Sequence, residues 1–226
     1  MAFPYLFLSQ WSRNSCFFLK FSGMEEEKDC NQLKEPYTEY GRYTYADYLS
    51  WELDHMVELI KGKVFKQAAA APRRIHQGLV LKLGSKLLNH LANKPCKVYP
   101  APFDVRLITN STKPNQIYTV VQPDVCVVCD PEKLDEFGCI GAPDLIVEIL
   151  SPSNNRKELQ NKYEVYEESG VLEYWVIHPY EKTLLVYTLV NGQYIPSRLL
   201  TLGDKVASNC IQGFVLDLDE LFEGLE

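Results

Sequence analysis

Leu145-Ile-Val-Glu-Ile-Leu150 is an aliphatic run interrupted by one carboxylate. A short apolar stretch bounded by Pro143-Asp144 and Ser151-Pro152 reads as a buried strand. Glu148 makes it unusual, because an ionised carboxylate left in an apolar sheet costs on the order of several kcal/mol unless a cation or strong donors meet it. The same anomaly recurs upstream, where Tyr118-Thr-Val-Val-Gln-Pro-Asp-Val-Cys-Val-Val-Cys129 places Asp124 in a second hydrophobic run. Two acids in apolar strands point to a bound metal ion.

Outward from these acids the chain alternates between the two structural periods. Strands are expected over 97–108, 117–129 and 144–150, separated by Asn110-Ser-Thr-Lys-Pro-Asn115 and by the Pro- and Gly-punctuated segment 130–143. A long helix is expected ahead of them over 73–93, with Ile75, Leu79, Leu83, Leu87 and Leu91 at steps of four and Val80 and Leu88 beside them. After them, Asn154 or Asn155 caps a helix over 156–169, and Glu173-Tyr-Trp-Val-Ile177 forms a further strand. The order helix, three strands, helix, strand defines an α/β core.

Flanking segments extend this core. Thr44-Tyr-Ala-Asp47 has the form of a capping box ahead of a short helix through about residue 53. Val57-Glu-Leu-Ile-Lys-Gly-Lys-Val-Phe65 reads as two strands turning near Gly62. Segments 183–190 and 193–202 read as a hairpin turning at Asn191-Gly192.

Composition narrows the function classes. At 226 residues, with 46% hydrophobic and 23% charged side chains, the chain has the make-up of a globular protein, and no run approaches the roughly 18 apolar residues of a membrane span. A cytoplasmic protein without a membrane partner is expected. The net charge of -7 means that any nucleic-acid contact must come from a local basic surface or through metals. Seven scattered cysteines read as reduced thiols. Cys126 and Cys129 spell a CxxC, but residues three apart on a strand face opposite ways, and no second pair follows at zinc spacing. Residues 1–23 lack the basic start and continuous apolar core of a signal peptide, and Met24 opens an acidic stretch, Glu25 to Asp29. The expectation is translation from Met24, a disordered extension over 1–39 and a single domain over 40–226.

The chemistry follows from strand alternation. Gln122, Asp124, Cys126 and Val128 share one face, and Ile146, Glu148 and Leu150 share a face of the next strand, so pairing of the two strands lets the acids meet. Hard oxygen ligands favour Mg2+ or Mn2+, and magnesium takes one or two carboxylates and completes its shell with water and substrate phosphate. Lys162 lies on the 156–169 helix among Leu159, Tyr163 and Tyr166 at steps of three and four. An ammonium there orients or helps to deprotonate an attacking water and offsets phosphate charge; the alternative is a lysine snorkelling at the stripe's edge.

These residues carry a family resemblance. Pro123-Asp124, Glu148 in a hydrophobic strand and then a lysine look like the PD-(D/E)XK nuclease superfamily. Val57-Glu-Leu-Ile-Lys-Gly62, Gln122-Pro-Asp-Val-Cys-Val-Val128, Gly141-Ala-Pro-Asp-Leu-Ile-Val-Glu-Ile-Leu-Ser-Pro-Ser153 and Gly170-Val-Leu-Glu-Tyr-Trp-Val-Ile-His-Pro179 resemble, in order, the Uma-type restriction endonuclease family. The likeness runs from about Tyr43 to Phe222. It implies a restriction-endonuclease-like α/β (α+β) fold, with a central mixed sheet flanked by helices and the C-terminal hairpin added. It also implies Mg2+- or Mn2+-dependent endonuclease hydrolysis of nucleic acid, with DNA the expected substrate. The superfamily often carries its lysine two residues after the acid, where this chain has Leu150. The resemblance assigns that role to Lys162 instead, with Lys157 as competitor near the unfavourable helix start.

The resemblance also brings in Glu58, through the Glu-Leu-Ile-x-Gly segment, as a third acid beside the metal ligands Asp124 and Glu148. The other place for Glu58 is the solvent side of a half-buried strand. His76 borders the apolar stripe of the long helix and is expected to finish the core, and Asp144 to close its loop. Arg73, Arg74, Lys82 and Lys86 form a candidate DNA-facing surface, and the hairpin around Tyr187 and Tyr194 a candidate homodimer surface. Without a Gly-x-Ser-x-Gly elbow, a phosphate loop or Rossmann glycines, acyl transfer and nucleotide hydrolysis by those routes are excluded. Two readings remain besides the endonuclease: a nuclease fold with weakened catalysis acting as a nucleic-acid-binding or protein-interaction module, and a carboxylate-metal hydrolase acting on small phosphate esters.

Overall fold

The computed structural model describes residues 42–52, 56–66, 73–108, 111–152 and 156–225, all within one unit spanning Tyr40–Glu226. The expected start at Met24, the extension over 1–39 and the cap at Asn154 or Asn155 lie outside the described residues. The N-terminal half comprises α1 (Tyr45–Tyr48), β1 (Val57–Ile60), β2 (Lys63–Lys66), α2 (Arg74–His90), β3 (Lys97–Pro100), β4 (Asp104–Arg106), β5 (Val120–Val121) and β6 (Val125–Val128). There follow β7 (Leu134–Asp135), β8 (Gly138–Ile140), β9 (Leu145–Ile149), α3 (Arg156–Ser169), β10 (Glu173–His178), β11 (Thr183–Val190), β12 (Gln193–Pro196), β13 (Lys205–Ala207), β14 (Val215–Asp217) and α4 (Leu218–Phe222).

Local signals in the sequence account for several boundaries. Thr44 and Asp47 close the expected capping box, with Thr44 N–H donating to Asp47 Oδ2 at 2.8 Å, so α1 starts where predicted. Asn191 and Gly192 both have positive φ, 52° and 80°, which is the conformation a two-residue hairpin turn requires. Gly138 is obligatory for packing: its φ is 135° and a Cβ there would lie 2.2 Å from the Asp104 carbonyl oxygen, so any side chain would push β8 away from β4.

The single central sheet expected from sequence is instead two mixed six-stranded sheets and a small ribbon. One sheet runs β2-β1-β5-β4-β8-β7, the other β12-β11-β10-β9-β6-β3, and β13 pairs with β14. Proline is the physical reason. Pro102 interrupts the expected 97–108 strand and Pro123 the expected 117–129 strand, and neither can donate to a ladder, so each run is cut in two. β3 and β6 enter one sheet, β4 and β5 the other. The 193–202 strand also stops early, at Pro196, beyond which Leu200 makes only an isolated bridge to Leu184.

Alternation in β6 and β9 divides the core into two layers. Val125, Val127, Leu145, Val147 and Ile149 pack with Leu79, Leu83 and Leu87 of α2 and with Leu218 and Leu221 of α4. Cys126, Val128, Ile146 and Leu150 pack with Val165 and Tyr166 of α3 and with Val105 and Val121 of the other sheet. The far side of that sheet buries Leu59 and Val120 against Tyr45 of α1. Within α2 the apolar stripe is narrower than its spelling suggests, since Leu88 is exposed while Leu79, Leu83 and Leu87 are sealed.

Not all cysteines are free thiols, contrary to expectation. Cys96 and Cys129 form a disulfide, because they occupy the register position beyond Lys97↔Val128 at the end of the β3–β6 ladder. Cys126, on the opposite face as alternation requires, is buried and free. No described helix is long and apolar enough to cross a membrane.

Candidate active site

Side chains from β1, β9, α2 and α3, and Asp124 just ahead of β6, converge where the two sheets meet α3. β6 and β9 pair antiparallel with Val125 opposite Val147, and the next step of that register sets Asp124 toward Glu148. The Asp124 carboxylate is anchored on β9, its Oδ2 accepting the Ile149 N–H at 2.7 Å. Its Oδ1 lies 3.1 Å from His76 Nε2, contributed by α2. Glu148 points to the other side of the sheet from Val147 and Ile149, toward α3.

On α3 the spacing of three and four puts Lys162, Val165 and Tyr166 on the buried face. Lys162 Nζ donates to Glu148 Oε1 at 2.9 Å, and Tyr166 Oη donates to the same oxygen at 2.7 Å. The ammonium also lies 3.1 Å from Glu58 Oε1, supplied by β1. That Glu58 oxygen accepts the main-chain N–H of Gln122 as well, at 2.9 Å. Glu58, Glu148 and Lys162 are only 2%, 8% and 6% exposed. The solvent-facing place for Glu58 is thereby ruled out: β1 is an interior strand paired with both β2 and β5, and all four of its residues are buried.

The electrostatics follow from this burial. Desolvation pushes Glu148 up to about 7, opposed by Lys162 and reinforced by the nearby charges of Asp124 and Glu58. For Lys162, burial disfavours the charged form, but Glu148 and Glu58 outweigh it, so the ammonium titrates well above its ordinary value. The hydrogen bond to Asp124 raises His76 despite its partial burial. Three carboxylates face one ammonium and one imidazole, so acidic groups outnumber basic ones by one.

This donor set fits a divalent cation. Glu148 Oε2 has no hydrogen-bond partner among the described residues, and carboxylates outnumber the basic groups beside them. No group of three or more His, Cys, Asp or Glu side chains is gathered in metal-holding geometry among the described residues. A two-carboxylate site is the pattern magnesium uses, with water and phosphate supplying the remaining ligands.

The other candidate residues are distributed as follows. Lys157 is exposed on the first turn of α3, away from the cluster's buried face. Asp144 closes its loop, accepting the Cys129 N–H at 2.7 Å. Lys82 and Lys86 are tied to α4, Lys82 through the Glu220 and Glu223 carbonyls and Lys86 through the Glu220 carboxylate at 2.5 Å, which removes them from a free basic surface. Arg73 donates to Tyr180 Oη at 3.0 Å. His76 is a partner of Asp124 rather than a core filler. Tyr166 reads in sequence as part of an apolar stripe, as a tyrosine at a buried helical position does, and only the contact of its hydroxyl with Glu148 gives it a polar role.

A two-sheet α/β protein with a buried carboxylate–lysine cluster is the class that fold and site define. Residues 45–219, well over half of the chain, match the family described as "Uma2: Putative restriction endonuclease", and the chain belongs to that family. An uncharacterized protein of Synechocystis sp. is 24% identical over 144 residues, 63% of this chain and 71% of that one. Among solved structures, the crystal structure of a putative nuclease belonging to DUF820 from Anabaena variabilis aligns with a TM-score of 0.65 at 20% identity, covering 81% of this chain and 99% of that one. At that identity the likeness is one of fold.

Proposed function

We propose that this protein is a metal-dependent endonuclease that hydrolyses phosphodiester bonds, with DNA as substrate, on a restriction-endonuclease-like core. The observation that carries the reading is Lys162 held between Glu148 and Glu58 in a nearly buried site, with Asp124 set toward Glu148 by the β6–β9 register. Membership of a family described in terms of restriction endonucleases supports it.

In this reading Asp124 and Glu148 hold Mg2+ or Mn2+, with Glu58 completing the acidic wall. Bound there, the metal lowers the pKa of a coordinated water and screens the scissile phosphate. Lys162 acts as a fixed cation: its raised pKa keeps it protonated, so it donates to the attacking water or a phosphate oxygen and takes no proton itself. Glu148 accepts one of its three N–H groups and Glu58 pairs with its charge, leaving donor capacity for the reacting group. Tyr166 and His76 hold Glu148 and Asp124 in place.

A second reading has its own support. With Lys162 paired to both Glu148 and Glu58, the cluster also satisfies itself internally, as in a fold retained for nucleic-acid or protein binding with little cleavage. Purified protein incubated with Mg2+ or Mn2+ and supercoiled or linear DNA separates the two. Nicking or linearisation lost in Asp124→Ala and Glu148→Ala supports the endonuclease. Metal-insensitive binding without cleavage supports the module. RNA and a chromogenic phosphodiester, run in parallel, define the substrate class.

A further inference from the structure

A cavity of about 400 Å3 adjoins the carboxylate cluster and is not used by the proposed chemistry. It opens between the β3–β4 turn and the β7–β8 turn. Tyr99 and Phe103 stack beside it with ring centroids 4.2 Å apart and planes 2° from parallel, forming one flat, half-buried aromatic wall. Phe137, in the β7–β8 turn, stands 61% exposed at its rim.

The polar lining is acidic. Asp104, Asp135 and Glu136 border the space, no lysine or arginine lines it, and the nearby Arg106 is committed to Asp135. A phosphate is repelled from such a place, so the group that enters is flat, uncharged and rich in donors. The Asp104 carboxylate is the acceptor for those donors. Asp104 Oδ1 receives Gln122 Nε2 at 2.8 Å and Tyr48 Oη at 3.2 Å, but Oδ2 has no partner among the described residues. A ligand donor completes the hydrogen bonding of that carboxylate.

We propose that this cavity binds one unstacked nucleobase, with guanine preferred, beside the scissile phosphate. The ligand class rests on the nuclease reading. The guanine Watson–Crick edge offers two adjacent donors, N1–H and the N2 amine, to a carboxylate. Adenine and cytosine place a ring acceptor next to their single amine, and thymine flanks its one N–H with carbonyls. The aromatic wall stacks on any base, and the carboxylate selects among bases. Because that edge is occupied in a duplex, the base must come from a single-stranded or distorted segment.

The backbone connects the two sites. Gln122 lines the cavity with its side chain while its N–H holds Glu58, and Asp124 follows two residues later, at most about 7 Å along the chain. Ala101, in the turn between Tyr99 and Phe103, donates its N–H to the Asp124 carbonyl at 3.1 Å. A strand with one phosphate at Asp124 and Glu148 therefore places an adjacent base at the cavity.

The test is binding by the full chain in EDTA, where cleavage does not intervene, using fluorescence anisotropy on labelled single-stranded oligothymidylates with one central guanine, 7-deazaguanine, inosine, adenine or cytosine. Guanine and 7-deazaguanine are expected to bind alike and at least about fivefold more tightly than adenine or cytosine, with inosine losing part of the gain. Asp104→Asn, of nearly the same shape, is expected to abolish the preference at unchanged melting temperature, while Phe103→Leu weakens every oligonucleotide alike. Equal affinity for all bases, or a preference that survives Asp104→Asn, overturns the proposal. Free guanosine monophosphate competing better than the oligonucleotide overturns the strand as its source. A guanine preference without cleavage in Mg2+ removes the nuclease reading and leaves the cavity's role intact; cleavage without a preference does the reverse.

Discussion

Lys162 Nζ lies 2.9 Å from Glu148 Oε1 and 3.1 Å from Glu58 Oε1, so one ammonium on α3 ties together acids from two different sheets. Truncating it leaves two buried carboxylates facing each other. Lys162→Met is expected to destabilise the metal-free protein by roughly 3–5 kcal/mol in urea unfolding. Mg2+ is expected to recover part of that loss, because a divalent cation substitutes for the missing charge. Equal midpoints for the variant with and without Mg2+ would show that no cation enters the cluster.

Asp124→Ala and Glu148→Ala are each expected to lower the DNA cleavage rate by at least about 100-fold, the scale of losing a metal-activated nucleophile. Calorimetry with Mn2+ is the companion measurement: both variants lose the binding isotherm while near-UV circular dichroism stays native. Retained Mn2+ binding in both variants would move the metal elsewhere.

The His76 to Asp124 contact makes the imidazole a supporting partner of the carboxylate that holds metal. His76→Ala is expected to weaken Mn2+ binding by about 10- to 100-fold, with a much smaller change in melting temperature. His76→Gln, which retains a donor, is expected to restore part of the affinity. A loss of stability with unchanged Mn2+ affinity would reduce His76 to a packing residue.

Stability against pH reports Glu148 directly. Its folded pKa of about 7 exceeds the unfolded value of about 4.3, so the folded state binds the extra proton between those values and stability falls as pH rises through that window. His76, also raised, contributes in the same direction at higher pH, its stabilisation present below about 6.5 and lost as pH passes its folded value. The difference between wild type and Glu148→Gln in EDTA isolates the first effect, which is on the order of 3 kcal/mol between pH 4 and 8. A pH-independent difference between the two proteins would contradict the raised value.

Glu173 provides a control away from the site. It is fully buried and accepts hydrogen bonds from Ser208 Oγ at 2.6 Å, Asn209 N at 2.8 Å and Asn209 Nδ2 at 2.9 Å, pinning the β13–β14 ribbon to β10. Ser208→Ala is expected to cost about 1–3 kcal/mol in unfolding and to leave DNA cleavage unchanged.

The contrast between Glu148 and Glu58 shows where sequence suffices. A carboxylate inside Leu145-Ile-Val-Glu-Ile-Leu150 is anomalous whatever surrounds it, because the run has no polar face to receive it. A glutamate in Val57-Glu-Leu-Ile60 fits alternation equally well with its side chain in solvent, and only the pairing of β1 with β5, and the Lys162 ammonium over it, settled its burial. Tyr166 and His76 are invisible for the same reason: each fits an apolar helical stripe, and the polar contact that distinguishes it comes from a residue far along the chain.

Periodicity and local chemistry, all short-range, determined the two central helices, the β9 and β10 strands, the Asn191-Gly192 hairpin and the capping box at Thr44 from sequence alone. Division of the strands between two sheets depended on where Pro102 and Pro123 let the chain cross over, which pairing partners decide and local pattern does not. Strand alternation already set Asp124 toward Glu148, whereas the tertiary structure alone brought His76 to Asp124, Tyr166 to Glu148 and Glu58 into the interior beside Lys162. Long-range contacts of this kind are set by how whole faces pack, and a carboxylate's partner is chosen by proximity in space, for which sequence spacing carries no signal beyond a single helix or strand.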